Sequence, residues 1–182
     1  MSKNKSASSV AFGGIISALA VLMMFFTGIF PFATYALPAL SGLLLVVIVI
    51  DHGLNWAWCV YAAISVLVIL ITPDREAATM FVLFFGYYPI LKSVLERIKL
   101  RMVEYVLKFV IFNAAMVIAY LLIIHVLGIP DILEEFGELG QYGVWIMLGL
   151  GNVVFILYDI TISRLICMYT GWLKPKLFRN GR

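Results

Sequence analysis

The fold the sequence predicts is an all-α integral membrane protein, a single bundle of six transmembrane helices, and three observations predict it. The 182 residues are 64% apolar and 13% charged, against about 45–50% and about 25% in a soluble domain. That excess is too large for one globular core of this size. The apolar residues also fall in runs long enough to cross a hydrocarbon core, which takes ~20 residues of helix. Finally, the 13 Lys and Arg residues gather on one side of the topology that those runs imply. The composition excludes a disulfide scaffold and a nucleic-acid-binding domain. The net charge of +3 reflects that placement, and no nucleic-acid partner is expected.

Val10 to Ile50 holds no charged residue, too long for one span and too short for three. Pro31, close to Gly28 and Phe30, breaks it. The first span is expected over about 10–29 and the second over 34–50, where Pro38 lies in the tolerant first turns. The first run is too long for a signal-peptide core and ends without a clear small-residue cleavage site, so it is expected to stay as a membrane helix. The third span covers 54–72 and is ended by Pro73. The fourth covers 77–91, is short, contains Pro89 and is closed by Lys92. The fifth covers 103–127, ended by Gly128 and Pro130, and the sixth runs over 142–169. The connections are short, and nothing is left for a soluble domain.

Six spans put both termini on one side of the membrane. If that side is cytoplasmic, it carries every Lys and Arg except Arg75, as the positive-inside rule asks. The outer loops carry Asp74, Glu76, Asp131, Glu134, Glu135 and Glu138. Tyr35, Trp56, Trp58, Tyr142, Trp145 and Trp172 fit the interfacial aromatic belts. The segment from Lys92 to Arg101 reads as a basic elbow on the cytoplasmic face, able to bind anionic lipid headgroups.

No soluble-enzyme motif is present. A phosphate-binding GxxxxGK[ST] is missing, so the chain has no ATP site of its own. Gly149-Leu150-Gly151 sits inside an apolar helix and reads as packing. There is no HExxH, and His52 and His125 fall on opposite faces of the membrane. No metal or other cofactor is expected. Cys59 and Cys167 lack metal-site spacing and read as packing residues. An intramembrane serine protease needs a nucleophile with a histidine at its depth; Ser41-Gly42 lacks the GxSxG frame. An aspartyl protease needs two carboxylates sharing a proton. Asp51 and Asp159 lie toward the same side, but the GxGD half of such a site is missing, so no enzyme is expected.

An ionisable group at membrane depth needs a partner or a pore. Asp159 falls in the inner third of the bilayer, Lys108 at similar depth, and Arg164 one to two turns along the same helix as Asp159. A structural pair of Asp159 with Lys108 or Arg164 is the economical reading, and Glu104 and Lys108 form a further i,i+4 pair. Asn113 and Asn152 are expected to hydrogen-bond between helices, although Asn152 is also placed to floor an outward pocket. Tyr35, Arg75, His125 and Trp145, with Thr27 and Gln141, lie near the outer surface, where aromatic walls with a few fixed polar groups suit a small molecule. Interfacial anchoring serves each of these residues equally well. Gly13, Gly14, Ser17 and Ala18 give the first span a smooth face on which another helix can approach closely. Such a face packs within the bundle or docks a partner subunit.

Six short-looped helices, both termini inside and no energising motif resemble the substrate-binding S component of energy-coupling factor (ECF) transporters. The small-residue face of span one is similar to the AxxxA face by which that family docks on its transmembrane coupling subunit, although here it reads Gly13, Gly14, Ser17, Ala18. The segment from Phe30 to Pro38 falls where the family places the outer loop that lids its substrate. The resemblance implies capture of a vitamin or other micronutrient from outside, in the plasma membrane, with energy supplied by two separate ATPases and a coupling protein. It carries no substrate-specific motif. Two other readings stay open: a non-transporting envelope-assembly scaffold with a packed core, and a small intramembrane enzyme using Asp51 and Asp159.

Overall fold

A computed structural model describes residues 2–30, 33–125 and 143–174, with the backbone alone for 2–6, 144 and 173. Pro31, Gln141, Tyr142, the acidic residues Asp131, Glu134, Glu135 and Glu138, and the basic residues Lys176, Arg179 and Arg182 lie outside the described residues, as do positions 126–127 at the expected end of span five. Helices and short connections make up the described residues, with no strand among them. In chain order the helices are α1 (Ser2–Phe26), α2 (Ala36–His52), α3 (Leu54–Ile71), α4 (Arg75–Met80), α5 (Tyr88–Leu95), α6 (Arg101–His125) and α7 (Gly143–Met168). A π-helical segment, Phe81–Phe85, joins α4 to α5, and a second, Tyr169–Leu173, continues α7.

Five stretches are long and apolar enough to cross a membrane: Ala7–Phe26, Leu54–Ile71, Arg75–Leu95, Arg101–His125 and Trp145–Trp172. The molecule is therefore compatible with a multi-pass membrane protein. The second expected span is the shorter helix α2, 17 residues long. At 1.5 Å per residue it reaches about 25 Å, a little less than the ~30 Å of a hydrocarbon core. Large apolar side chains on the outside, among them Leu70, Val106 and Leu157, are exposed, as lipid-facing residues would be.

The fourth span corrects the sequence reading. Lys92 does not close it: the helical stretch continues through Lys92 to Leu95, and Lys92 is fully buried. This is the innermost of the long helices, with 61% of its apolar stretch buried against 28% or less in the other four. Its geometry follows from Pro89. Proline has no N–H, so the carbonyl of Phe85, four residues earlier, loses its α-helical donor. Packed inside the bundle, that oxygen needs another donor. The Tyr158 hydroxyl donates to it at 3.3 Å. Around the same point the ladder widens, with the Gly86 N–H bonded to the Phe81 carbonyl at 2.8 Å.

Glycine makes the neighbouring contact possible. A Cβ on Gly42 would sit 2.1 Å from the Phe85 carbonyl oxygen, so α2 lies almost backbone to backbone on the π-helical segment. At the α2–α3 turn, Gly53 adopts φ +86°, a left-handed conformation that other residues adopt only with strain. Two apolar clusters result. One joins α1, α2 and α3 to the start of the fourth span through Met24, Leu45, Ile64 and Phe81. The other joins the fourth span to α6 and α7 through Phe84, Phe112, Phe155 and Ile162.

At one end of the bundle, which we call the acidic end, the α1–α2 and α3–α4 connections are tied together. Thr34 donates to Asp74 at 2.9 Å, and the Tyr35 hydroxyl donates to Glu76. Asp74 also caps α4, accepting from the Ala77 N–H at 3.0 Å, which satisfies one of the orphan donors of a helix start. The α2–α3 and α5–α6 turns lie at the opposite, basic end.

Candidate functional site

Three layers are stacked along the helix axes between the fourth span, α6 and α7. Nearest the acidic end is a cavity of about 330 Å³. Below it lies a layer of aromatic rings. Below that, toward the basic end, lies a charge network built around two buried lysines.

The aromatic layer is built from one or two residues of each element. Phe112 of α6 and Phe155 of α7 stack with centroids 4.7 Å apart and planes at 13°. Phe84 of the π-helical segment meets Phe112 edge-on at 5.1 Å, and Tyr88 of α5 meets Phe155 at 5.3 Å. Edge-to-face and offset pairs of this kind are the favoured arrangements of aromatic quadrupoles. Phe84 and Tyr88 are four residues apart and share one face of the fourth span, which is why both rings enter the same layer.

The Tyr88 hydroxyl leaves that layer and donates to Asp159 Oδ1 at 2.7 Å. The same carboxylate oxygen takes an ion pair and hydrogen bond from Lys92 and lies 3.4 Å from Lys108 Nζ. Lys92 also donates to the Asp159 main-chain carbonyl at 3.0 Å and pairs with Glu96 at 3.2 Å. Lys108 pairs with Glu104 at 2.7 Å and stands 3.7 Å from Glu96. Two ammonium groups thus face three carboxylates, and both lysines are buried at 3% exposure or less. Buried charges persist only when paired and hydrogen-bonded, and each charge here has a partner.

The expected Asp159–Lys108 and Glu104–Lys108 pairs are present. Arg164 is exposed and makes no ion pair among the described residues. Lys92 takes the place given to it, a residue the sequence reading had assigned to the cytoplasmic elbow. A signal for it was available: Tyr88, Lys92 and Glu96 recur every four residues on one helical face.

The cavity itself is apolar. Met116 of α6 and Met147 of α7 form opposite walls, and the rings of Phe84, Phe112 and Phe155 close it below. Tyr35 of the α1–α2 connection and Tyr120 near the end of α6 lie on its lining toward the acidic end. Val117, Leu150 and Val154 belong to both its lining and the exposed outer surface, so it opens sideways between α6 and α7.

Of the described residues expected near a substrate, Tyr35 lines this cavity and the others do not; Gln141 lies outside the described residues. Arg75 turns back to donate to the Ile69 carbonyl at 2.6 Å. His125 is bonded to the Leu121 carbonyl at 3.0 Å. Trp145 points outward, 73% exposed. Asn152 and Asn113 pair reciprocally, each amide donating to the other at 3.1 Å, and so bolt α7 to α6. The residues that do form the cavity, Met116, Met147 and the three phenylalanines, read in the sequence as ordinary span-filling apolar residues. Nothing in their spacing separates a cavity wall from a packed core.

The small-residue face of α1 divides. Gly13 is buried, with a Cβ there 3.3 Å from Trp56 and Val60 of α3, whereas Gly14 has nothing within 4 Å. Ala18, one turn on from Gly14, is exposed as well, and Ser17 is half-buried. Away from the layers, Asp51 at the end of α2 accepts from the Tyr169 hydroxyl and pairs with Lys174 at 2.8 Å. No group of three His, Cys, Asp or Glu side chains among the described residues is placed to hold a metal ion.

Compared with known proteins, the chain matches no family model, no curated protein and no solved structure.

Proposed function

We propose that the chain is a substrate-binding membrane subunit of the ECF type, capturing a micronutrient or vitamin from outside the cell and relying on a separate ATPase module for energy. The observation that carries this reading is the cavity between the fourth span, α6 and α7. It lies toward the acidic end, with Tyr35 of the first connection on its lining. A scaffold requires a packed core and has no use for such a space.

The intramembrane-enzyme reading requires an aspartate free to exchange a proton. Asp159 is instead held by Lys92, Lys108 and Tyr88, and Asp51 by Lys174 and Tyr169. In this proposal the acidic end faces outward, both termini are cytoplasmic and the host is the plasma membrane, as the distribution of Lys and Arg favours. The Gly14–Ala18 face of α1, with no neighbour inside the bundle at Gly14, is where the coupling subunit docks.

The test is a pull-down of the tagged protein from its native membrane in mild detergent, followed by mass spectrometry. Two ATPases and a second membrane subunit are expected to co-purify. Recovery of envelope-assembly proteins, or of no partner, overturns the proposal.

A further inference from the structure

We infer that the cavity between the fourth span, α6 and α7 binds a small lipophilic molecule carrying one hydrogen-bonding group, which enters from the bilayer through the gap between α6 and α7. The inference rests on the substrate-binding reading above and specifies the chemistry of what is bound. At about 330 Å³ the cavity lies near the lower end of ligand pockets, which span about 300–1,000 Å³. Its described walls are mostly aliphatic, methionine and aromatic side chains. A polar nutrient placed there would lose its hydration without regaining hydrogen bonds, which is costly for each polar group buried.

The hydroxyls on the lining narrow the choice. Tyr158 is spent on the carbonyls of Phe85 and Ala39, at 3.3 and 3.4 Å. Tyr35 is engaged by Glu76. Tyr120 lines the cavity and makes no hydrogen bond among the described residues. Among the described residues Tyr120 carries the one hydroxyl of the lining without a hydrogen-bond partner, and the lining surface is otherwise almost wholly apolar, which suits a ligand with a single polar end. That end would sit near Tyr120, with the apolar body against the Phe112–Phe155 stack. Met116 and Met147 add flexible, polarizable surface that adapts to irregular shapes.

The route follows from the same residues. Val117, Leu150 and Val154 line the cavity and face outward, at 47%, 62% and 56% exposure. A lipophilic solute concentrated in the bilayer meets that opening without crossing an aqueous barrier. An acyl tail of a membrane lipid shares the apolar chemistry and could enter the same way, so the experiment must separate the two.

The probe is a medium-chain alkanol bearing a photoactivatable diazirine, applied to the full chain in lipid nanodiscs, with labelled positions mapped by peptide mass spectrometry. Saturable labelling is expected at Met116, Tyr120 and Met147, competed by the unmodified alkanol and not by added phospholipid. Tyr120→Phe is expected to weaken the apparent affinity by about threefold to tenfold, the size of one lost hydrogen bond. Met116→Phe, which adds bulk to one wall, is expected to reduce the labelling independently of that hydroxyl.

Non-saturable labelling spread over outer residues such as Leu70 and Leu157 overturns the inference. So does labelling displaced by phospholipid and indifferent to Tyr120→Phe, which identifies an acyl chain as the occupant. The partner pull-down is scored separately. ATPases without cavity labelling overturn the ligand class and leave the transporter reading, and saturable labelling without ATPases does the reverse.

Discussion

The two ends of the space enclosed by the fourth span, α6 and α7 are built on opposite plans. Toward the basic end, Asp159, Lys92, Lys108, Glu96, Glu104 and Tyr88 leave no charge without a partner. Toward the acidic end, the same three elements surround a chamber with hardly a polar group in it. The aromatic layer of Phe84, Phe112 and Phe155 divides the two. The difference teaches that, among the described residues, ion pairs hold these three helices to one another toward the basic end only. Buried ion pairs are weak sources of net stability, but breaking one strands its partner, so the network specifies how the three helices meet. With register set there, the other end is free of that duty and can hold space.

The largest expected effect lies in the network. Asp159→Ala removes the carboxylate that Lys92 and Lys108 share, leaving them only Glu96 and Glu104, and is expected to destabilise the protein by up to about 3–5 kcal/mol, seen as a lower midpoint for thermal unfolding in detergent. A fully stable but inactive variant would sink the clamp idea and make Asp159 a working residue. The companion measurement is Met147→Ala in the cavity wall. A truncated methionine in a packed core costs roughly 2–5 kcal/mol. Met147 already borders empty space and lacks neighbours on one side, so its loss is expected to fall below that range. Equal losses from the two variants would erase the distinction between the ends.

Tyr158→Phe tests the boundary between them. The ring would stay in the aromatic layer, but the Phe85 carbonyl would lose the donor that replaces the N–H missing from Pro89. A buried acceptor left unsatisfied costs about 1–3 kcal/mol. An unchanged unfolding midpoint would mean that the π-helical segment satisfies itself without Tyr158. Asn152→Leu removes the reciprocal amide pair with Asn113. Interhelical hydrogen bonds in membranes average about 0.6 kcal/mol, and a drop of that size is expected. A loss comparable to that of Asp159→Ala would show that α6 and α7 are clamped at a second level.

The helices were legible in the sequence because apolar runs and prolines are local signals. The fourth span shows where that signal fails. Hydropathy reads Lys92 as the end of a membrane helix, because a lone ammonium in hydrocarbon is costly. The cost disappears once Asp159, 67 residues further along the chain, supplies the counter-charge, and no local pattern contains that fact. Lys108 was easier to place, since Glu104 lies one turn away on its own helix. The cavity was legible only through Tyr35. Its described walls are mostly aliphatic, Met and aromatic residues, which a sequence spends on cores and cavities alike, and the polar residues expected to mark it are engaged elsewhere: Arg75 with Ile69, His125 with Leu121, Asn152 with Asn113.

The smallest expected effect on the bundle is also the most informative about what lies outside it. Gly13 and Gly14 are adjacent in sequence and about 100° apart around α1, and the sequence treats them as one smooth face. In the bundle they face different neighbours. A side chain on Gly13 meets Trp56 and Val60 at 3.3 Å, and one on Gly14 meets nothing within 4 Å. Gly13→Leu is therefore expected to disturb the contact of α1 with α3, and Gly14→Leu to leave the unfolding midpoint of the isolated protein within about 0.5 kcal/mol of the original, as for a surface change away from any packed feature. If α1 docks on a coupling subunit through Gly14 and Ala18, that same harmless leucine blocks the close approach which small residues permit. Co-purification of the partner should then fall sharply while the bundle stays intact. Undiminished co-purification would move the docking surface away from this face of α1.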